Sequence, residues 1–225
     1  MARRLARALV CAVLALLIVA ISPPGAGVAI AQYGLPKYQV TGFRGATFGM
    51  TLDEVRPIAR KSFNIDDGHM TLATDAGTGA SKLIVHVRAL EPGLGAGRVE
   101  YLFGYRQHAL FQVNVVWGLD SNPPLDNSGM LAAAMRLQGY FLGFDWPYGT
   151  ARTAVPLDQR SVLLFSAADR NGGAVSVTAE DVSYRLIGSG MVRLLPETSV
   201  PTIVTVTYTD PNRASDLRTI GQGQF

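Results

Sequence analysis

Residues 82–118 read KLIVHVRAL, EPGLGAG, RVEYLFGYR, QHA and LFQVNVVWG in succession. Apolar and polar side chains alternate in the first, third and fifth of these pieces, and a period of two is typical of strands with one buried face. The second piece contains a GxGxG pattern, but it joins two predicted strands and opens no helix, which favours a hairpin over a phosphate-binding loop. The stretch therefore predicts three antiparallel strands, at 82–90, 98–106 and 110–118.

A helix start precedes these strands. Residues 51–54 read TLDE, a capping-box pattern in which the Glu54 side chain reaches back to the Thr51 amide. We expect the helix to begin at Thr51 and to end near Phe63. Pro57 lies past its first turn and should bend or shorten it, because proline removes one backbone hydrogen bond.

The same order of elements recurs in the second half, after the proline pair at 123–124. Helical periodicity covers 129–142, and predicted strands follow at 161–168, at 174–180, once or twice between 182 and 195, and at 202–208. We therefore expect an α+β fold with two tandem helix-plus-antiparallel-meander units, the helices packed on one face of the sheet. The units span 32–122 and 123–209, and the polar residues 210–225 form a mobile tail.

Residues 48–55, FGMTLDEV, resemble the Gly-Met-Thr-x-x-x-Val helix start of the small outer-membrane assembly lipoproteins of the BamE (SmpA/OmlA) family. The order of elements is also similar to that of the β-lactamase-inhibitor proteins, which pack short helices on an antiparallel sheet in two tandem copies. The resemblance implies a helix-then-meander unit that binds other proteins.

Residues 1–31 have the pattern of a signal peptide. Three arginines within the first seven residues precede an apolar run at 8–21, and Ala29-Ile30-Ala31 offers the small residues that a signal peptidase reads. We expect cleavage near Ala31 and a periplasmic or secreted protein, an uncleaved signal anchor being the alternative. The apolar run is shorter than the ~20 residues of a membrane-spanning helix, so we expect no membrane span after cleavage.

The leader also accounts for the net charge of the chain. Three of the 20 Lys and Arg residues are Arg3, Arg4 and Arg7, and the remaining 17 balance the 17 Asp and Glu residues. A neutral mature chain lacks the basic excess that binds phosphate backbones, which argues against nucleic acid as a partner. The single cysteine, Cys11, lies in the leader too, so we expect neither a disulfide nor a lipid anchor.

Alternation sorts the strands at 82–118 into two faces. The side that we expect the helix to cover is apolar and forms a core. The opposite side forms a candidate binding face, which collects positive and titratable side chains; its residues are His86, Arg88, Arg98, Glu100, Arg106, Gln112 and Asn114. An ordinary solvated face is the alternative, because antiparallel sheets often leave one side in water.

The sequence predicts no catalytic, cofactor-binding or metal-binding residue. No two of the three histidines have the i, i+4 spacing that places imidazoles on one side of a helix, and no cysteine is left to help bind zinc. Gly188-Ser189-Gly190 lacks the first glycine of a nucleophile elbow. A dispersed pair of carboxylates leaves no local pattern, so it is not excluded.

These observations favour an exported, non-enzymatic binding, adaptor or inhibitor protein of the bacterial cell envelope. Its expected partner is another envelope or secreted protein, and its oligomeric state stays open. The alternatives are a periplasmic hydrolase of envelope polymers with dispersed carboxylates, and a small-ligand carrier, which requires an apolar pocket between helix and sheet. Aromatic residues at 140–148 indicate core packing, with a sugar or peptide groove as the alternative.

Overall fold

Strands outnumber helices in the part of the chain that the structure describes. This computed structural model describes residues 34–75, 78–91, 95–118, 127–187, 191–195, 199 and 201–214. From Leu35 onward the described residues belong to one compact unit. The predicted leader, the proline pair at 123–124, the serine at 189 and residues 215–225 of the predicted tail lie outside the described residues.

Most predicted elements are present at or near their predicted positions. In chain order the described elements are β1 Gly42–Phe43, β2 Ala46–Thr47, α1 Leu52–Phe63, a 3₁₀ turn Asp67–His69, β3 Met70–Thr74, β4 Ser81–Glu91, β5 Gly95–Phe103, β6 Leu110–Trp117, α2 Asn127–Leu142, β7 Arg152–Pro156, β8 Ser161–Ala168, β9 Ala174–Glu180, β10 Tyr184–Ile187, β11 Met191–Leu194, β12 Ile203–Thr209 and α3 Pro211–Ala214. No helix among the described residues is long and apolar enough to cross a membrane.

Eight strands form one antiparallel sheet in the order β3-β4-β5-β6-β12-β9-β8-β7. The last strand of the sequence, β12, lies in the middle and pairs with β6 on one side and with β9 on the other. Strands β1 and β2 form a separate short hairpin, and β10 and β11 form a two-stranded ribbon.

The predicted fold class, α+β with two tandem helix-plus-meander units, is wrong. The structure is mostly β, with 47% of the described residues in strands against 21% in helices, around a continuous eight-stranded sheet. The reason lies in β12, which pairs along its full length with both meanders and buries Val204, Val206 and Tyr208 between them. Two separate units would leave the backbone groups of β6 and β9 as unpaired edges.

Helix α1 begins and ends where the sequence predicts. The backbone N–H of Thr51 donates to Glu54 Oε2 at 2.8 Å, as the capping box requires. The chain leaves the helix at Asn64, whose φ of 50° lies in the left-handed region that asparagine tolerates better than most residues. Val55 and Ala59 are the buried residues of this helix and belong to the sheet's hydrophobic core.

Helix α2 covers the same face of the sheet further along. Its Gln138 side chain donates to the Leu164 carbonyl at 2.7 Å, and its Phe141 ring stacks on Phe165 at 5.6 Å. A register irregularity in β8 between Leu163 and Phe165 turns two successive residues, Leu164 and Phe165, into the core. One continuous core therefore lies between the helices and the sheet.

Several details differ from the sequence-based expectation, among them the hairpin β1–β2 and helix α3, which occupies 211–214 in the predicted tail. Strand β5 begins three residues earlier than predicted and ends at Phe103, which leaves Tyr105 and Arg106 in the turn before β6. Strand β7 has no counterpart among the predicted strands. Strand β7 lies at the edge of the sheet, and its positions 154–156 are all half-buried. Its apolar and polar residues therefore alternate only weakly along the sequence.

Candidate functional site

The predicted binding face exists in part. His86 pairs with Arg98, and Glu100 pairs with Asn114, on the sheet face opposite the helices. Gln112 lies on the same face, two residues before Asn114. These five residues come together as the alternation predicts.

The other two predicted residues lie elsewhere. Arg88 lies beyond the pair Val87–Gly97, after which the register of β4 and β5 shifts. Arg106 is exposed in the turn between β5 and β6. Arg88 instead borders a polar hollow beside the 3₁₀ turn, together with Asp66, His69 and His86.

The charges at the centre of this face are paired with one another. Glu100 is only 5% exposed, and its carboxylate oxygens lie 2.8 Å from Arg98 Nε and 3.3 Å from Lys82 Nζ. Asn114 donates to Glu100 Oε2 at 3.3 Å and accepts a hydrogen bond from Gln112 at 2.8 Å. Glu100 therefore neutralises part of the predicted positive charge, and it is shared between Arg98 and Lys82, a pairing that sequence alternation does not reveal.

A polar row continues across the face from this cluster. Cross-strand pairing places Asn114 beside Thr207, Thr207 beside Ser176, and Ser176 beside Ser166. No described helix packs on this side. Four neighbouring strands thus carry amide and hydroxyl groups on this face, next to the nearly buried carboxylate of Glu100.

A pocket lies on the opposite face, between helix α2, the β1–β2 hairpin and the sheet. Its volume is about 400 Å³. We call it the helix-side pocket, and the described residues that line it are Phe43, Arg44, Leu90, Val115, Trp117, Ala133, Arg136, Leu137, Tyr140, Phe141, Val206 and Tyr208. Sequence reasoning did not find it, because these residues come from five parts of the chain, the β1–β2 hairpin, β4, β6, α2 and β12, that are distant in sequence.

The floor of the helix-side pocket is apolar and buried. Val115, Trp117 and Val206 supply it from the sheet, and Ala133 and Phe141 supply it from α2. Gly97 makes room for the side chains on the sheet side of this floor. A Cβ at this position would lie 2.9 Å from Leu90 Cδ1 and 3.0 Å from Trp117 Cδ1. Only glycine leaves room for these two side chains to pack so closely over β5.

The rim of the pocket is polar. Arg44 and Arg136 are both exposed, and Tyr140 is 56% exposed. Guanidinium groups carry a positive charge at all physiological pH values, so the rim offers permanent hydrogen-bond donors above an apolar floor.

Two buried tyrosines lie close to the Arg44 charge. Burial raises the pKa of Tyr208, and a hydrogen bond to Tyr38 raises it further, while Arg44 acts in the opposite direction. Burial also raises the pKa of Tyr101, again opposed by Arg44. Both phenols therefore stay neutral at physiological pH and are not general bases.

Two buried donors have no hydrogen-bond partner among the described residues, the Tyr101 hydroxyl and the Trp117 indole N–H. Trp117 is 4% exposed and forms part of the pocket wall. An unsatisfied buried donor costs on the order of 1–3 kcal/mol, so a bound acceptor within reach would recover free energy.

The aromatic residues at 140–146 pack on one another and on Tyr38, as one of the two sequence interpretations holds, while Tyr140 and Phe141 also line the helix-side pocket. Tyr38 contacts the rings of Phe141, Phe144 and Trp146 at centroid distances of 5.6, 4.8 and 5.3 Å. The Trp146 indole N–H donates to the Phe141 carbonyl at 2.8 Å. Tyr148 stands fully exposed outside these contacts.

Groups of the kind that acid–base catalysis uses lie in the hollow beside the 3₁₀ turn, where Asp66 Oδ1 and His69 Nδ1 are 2.8 Å apart, and not in the described lining of the helix-side pocket. No group of three or more His, Cys, Asp and Glu residues in the described part of the chain is arranged to hold a metal ion. The described lining of the helix-side pocket contains no carboxylate, imidazole, thiol or aliphatic hydroxyl. This arrangement is suited to holding a molecule by contact and hydrogen bonding.

No protein-family model matches the chain, and no curated protein or solved structure is significantly similar to it. Function is therefore argued from the geometry of the sites alone.

Proposed function

We propose that this protein is an exported, non-enzymatic binding protein of the bacterial cell envelope that carries a small apolar ligand in the helix-side pocket. The observation that carries the proposal is a cavity of about 400 Å³ between α2 and the sheet. Small-molecule sites are concave and mostly apolar, with a few convergent polar groups, and measure roughly 300–1,000 Å³. The export proposal rests on the signal-peptide pattern of residues 1–31.

The cavity is much larger than the small voids that imperfect packing leaves in protein interiors. Protein interiors are close-packed, and their voids rarely exceed one water molecule, which takes about 30 Å³ in the liquid. A cavity of about 400 Å³ is more than ten times larger. Its aromatic lining would gain contact energy from an apolar occupant.

The ligand is held without conversion, because the described lining lacks nucleophiles and acid–base groups that titrate near neutral pH. Burial raises the pKa of the Tyr208 phenol, and guanidinium groups stay charged at neutral pH. We therefore propose a carrier and not a hydrolase for this pocket.

A neutral fluorescent probe tests the proposal. N-phenyl-1-naphthylamine should bind the exported chain with increased emission. The Ala133→Phe substitution places a ring in the pocket and should abolish this signal, because Ala133 is a buried lining residue. Ala132→Phe is the matched control, since Ala132 neighbours it on α2 but is exposed and outside the lining.

Thermal unfolding of both variants shows whether each remains folded. Equal probe binding by folded Ala133→Phe and Ala132→Phe, or no binding by the native chain, would contradict a ligand site in this pocket.

A second candidate function uses the open sheet face to bind another envelope or secreted protein. The specific observation is the polar row that runs from Glu100 to Ser166 over five strands with no described helix above it. Eight strands at about 4.8 Å spacing make this face about 34 Å wide, and with strands about 20 Å long its area is about 700 Å². That area is close to the ~800 Å² that each partner contributes to a standard interface.

A further inference from the structure

Arg44 holds an unusual backbone conformation at the rim of the helix-side pocket. It occupies the tip of the β1–β2 hairpin with a φ of 47°, followed by Gly45 with a φ of 88°. Two-residue hairpin turns with positive φ at both positions favour Asn or Gly at the first position, so arginine is disfavoured here. Strain of this kind persists where neighbouring contacts fix the residue, and such residues cluster at ligand sites.

The contacts that fix Arg44 also orient its guanidinium. One terminal nitrogen donates to the Leu90 carbonyl at 3.0 Å. The guanidinium carbon lies 5.7 Å from the Phe43 ring centroid and 5.1 Å from that of Phe63, within the range of cation–π contacts. Arginine has five N–H donors, so the contact with Leu90 leaves others for a ligand.

Three donor side chains line the pocket, beside the phenols of Tyr140 and Tyr208, whose oxygens can also accept hydrogen bonds. Arg44 and Arg136 line it with guanidinium groups, and Trp117 adds an indole N–H without a partner among the described residues. None of these groups can accept a hydrogen bond, and the described lining contains no carboxylate. A negatively charged group that accepts hydrogen bonds therefore complements the Arg44 side of the pocket.

We infer that the helix-side pocket selects an amphipathic monocarboxylate, with an aromatic or branched apolar body in the floor and the carboxylate against Arg44 at the rim. This inference rests on the proposed function and adds the chemical class of the ligand. A planar guanidinium matches a carboxylate with two parallel N–H···O bonds, which a point-like ammonium does not reproduce. The buried aromatic floor then determines which apolar bodies fit.

An isosteric pair of ligands isolates the contribution of the charge. Displacement of N-phenyl-1-naphthylamine from the exported chain is measured with 1-naphthylacetate and with the neutral 1-naphthylacetamide at pH 7. We expect the acid to bind about tenfold or more tightly than the amide, because hydrogen bonds to charged groups exceed neutral ones by about 1.4 kcal/mol or more. High salt should reduce this preference, because the rim is exposed.

Substitutions then assign the preference to the rim. Arg44→Gln should remove most of the preference for the acid over the amide, and Arg44→Lys should retain part of this preference. Arg136→Gln should weaken it. Arg170→Gln is the matched control, because Arg170 is exposed in the turn after β8 and lies outside the pocket lining. All four variants should still bind the neutral probe.

Equal affinity for the acid and the amide would overturn the carboxylate inference while leaving an apolar carrier intact. A preference that survives Arg44→Gln and Arg136→Gln together would overturn it as well. Failure of the native chain to bind the neutral probe is a different result, which refutes the proposed function itself.

Discussion

Phe141 links the stability of the fold to the helix-side pocket, and Phe141→Ala tests this link. The side chain is 1% exposed and stacks on Phe165 at 5.6 Å. It also meets Tyr38 at 5.6 Å and Tyr208 at 6.3 Å in edge contacts. Removal of the ring therefore disturbs α2, β8, β12 and the segment before β1 at once.

Core Phe→Ala substitutions cost about 3–5 kcal/mol, through lost transfer free energy and the cavity left behind. We expect the low end, about 3 kcal/mol, because one side of the ring already borders the pocket and lacks packing there. In a chain of this size, about 3 kcal/mol corresponds to a loss of roughly 6–12 °C in Tm.

Urea unfolding followed by tryptophan fluorescence measures the change in the free energy of unfolding. Phe144→Ala is the control, because Phe144 is only half-buried while contacting the same Tyr38 ring at 4.8 Å. We expect the control to lose less than half as much stability as Phe141→Ala. A loss below about 1 kcal/mol for Phe141→Ala, outside the usual range for buried aromatic residues, would refute the packing assigned to α2.

Two further predictions concern the buried phenols and the open sheet face. Tyr101→Phe should leave the free energy of unfolding unchanged or raise it by up to about 1 kcal/mol, because the Tyr101 hydroxyl has no partner among the described residues. Tyr208→Phe should lower it by about 1 kcal/mol, because the hydrogen bond to Tyr38 is lost. Burial raises the pKa of both phenols, so they ionise at lower pH in the unfolded chain than in the folded one. The stability that they contribute below pH ~10 should therefore be lost as the pH rises further. Tyr208→Phe should lessen this loss in alkaline unfolding curves, and an identical pH dependence of variant and native chain would contradict the role of Tyr208. For the sheet face, the double substitution Ser176→Arg and Thr207→Arg places two charged side chains in the middle of the polar row and should abolish crosslinking to an envelope protein in intact cells. Asn171→Arg, in the exposed turn after β8, should leave crosslinking unchanged. Retained crosslinking by the folded double variant would remove that candidate function.

Local signals in the sequence predicted most elements of the fold. The capping box at Thr51 and Glu54 set the start of α1, and period-two alternation located β4, β6, β8 and β9 to within one residue. These predictions succeeded because capping and alternation depend on neighbours within a few residues. The prediction of two units failed because nothing local to residues 203–209 indicates which strands they pair with.

The candidate sites were likewise predictable only where they depend on local sequence signals. Alternation placed His86, Arg98, Glu100, Gln112 and Asn114 on one face, since that requires only the pleat of each strand. It did not predict that Glu100 is buried between Arg98 and Lys82, because cross-strand pairing depends on register. The helix-side pocket had no sequence signal, because Arg44, Trp117, Ala133 and Tyr208 meet only after the whole chain has packed.

The sequence by itself thus determined most of the elements, their buried faces and the pattern of an export leader. Tertiary structure alone decided that β12 joins two meanders into one sheet, and that α2 and the β1–β2 hairpin leave a cavity above it. The physical reason is the distance along the chain between the residues that interact. Helix caps and strand pleats are fixed by contacts between residues a few positions apart. Sheet order and cavities depend instead on hydrogen bonds and packing between segments that are distant along the chain.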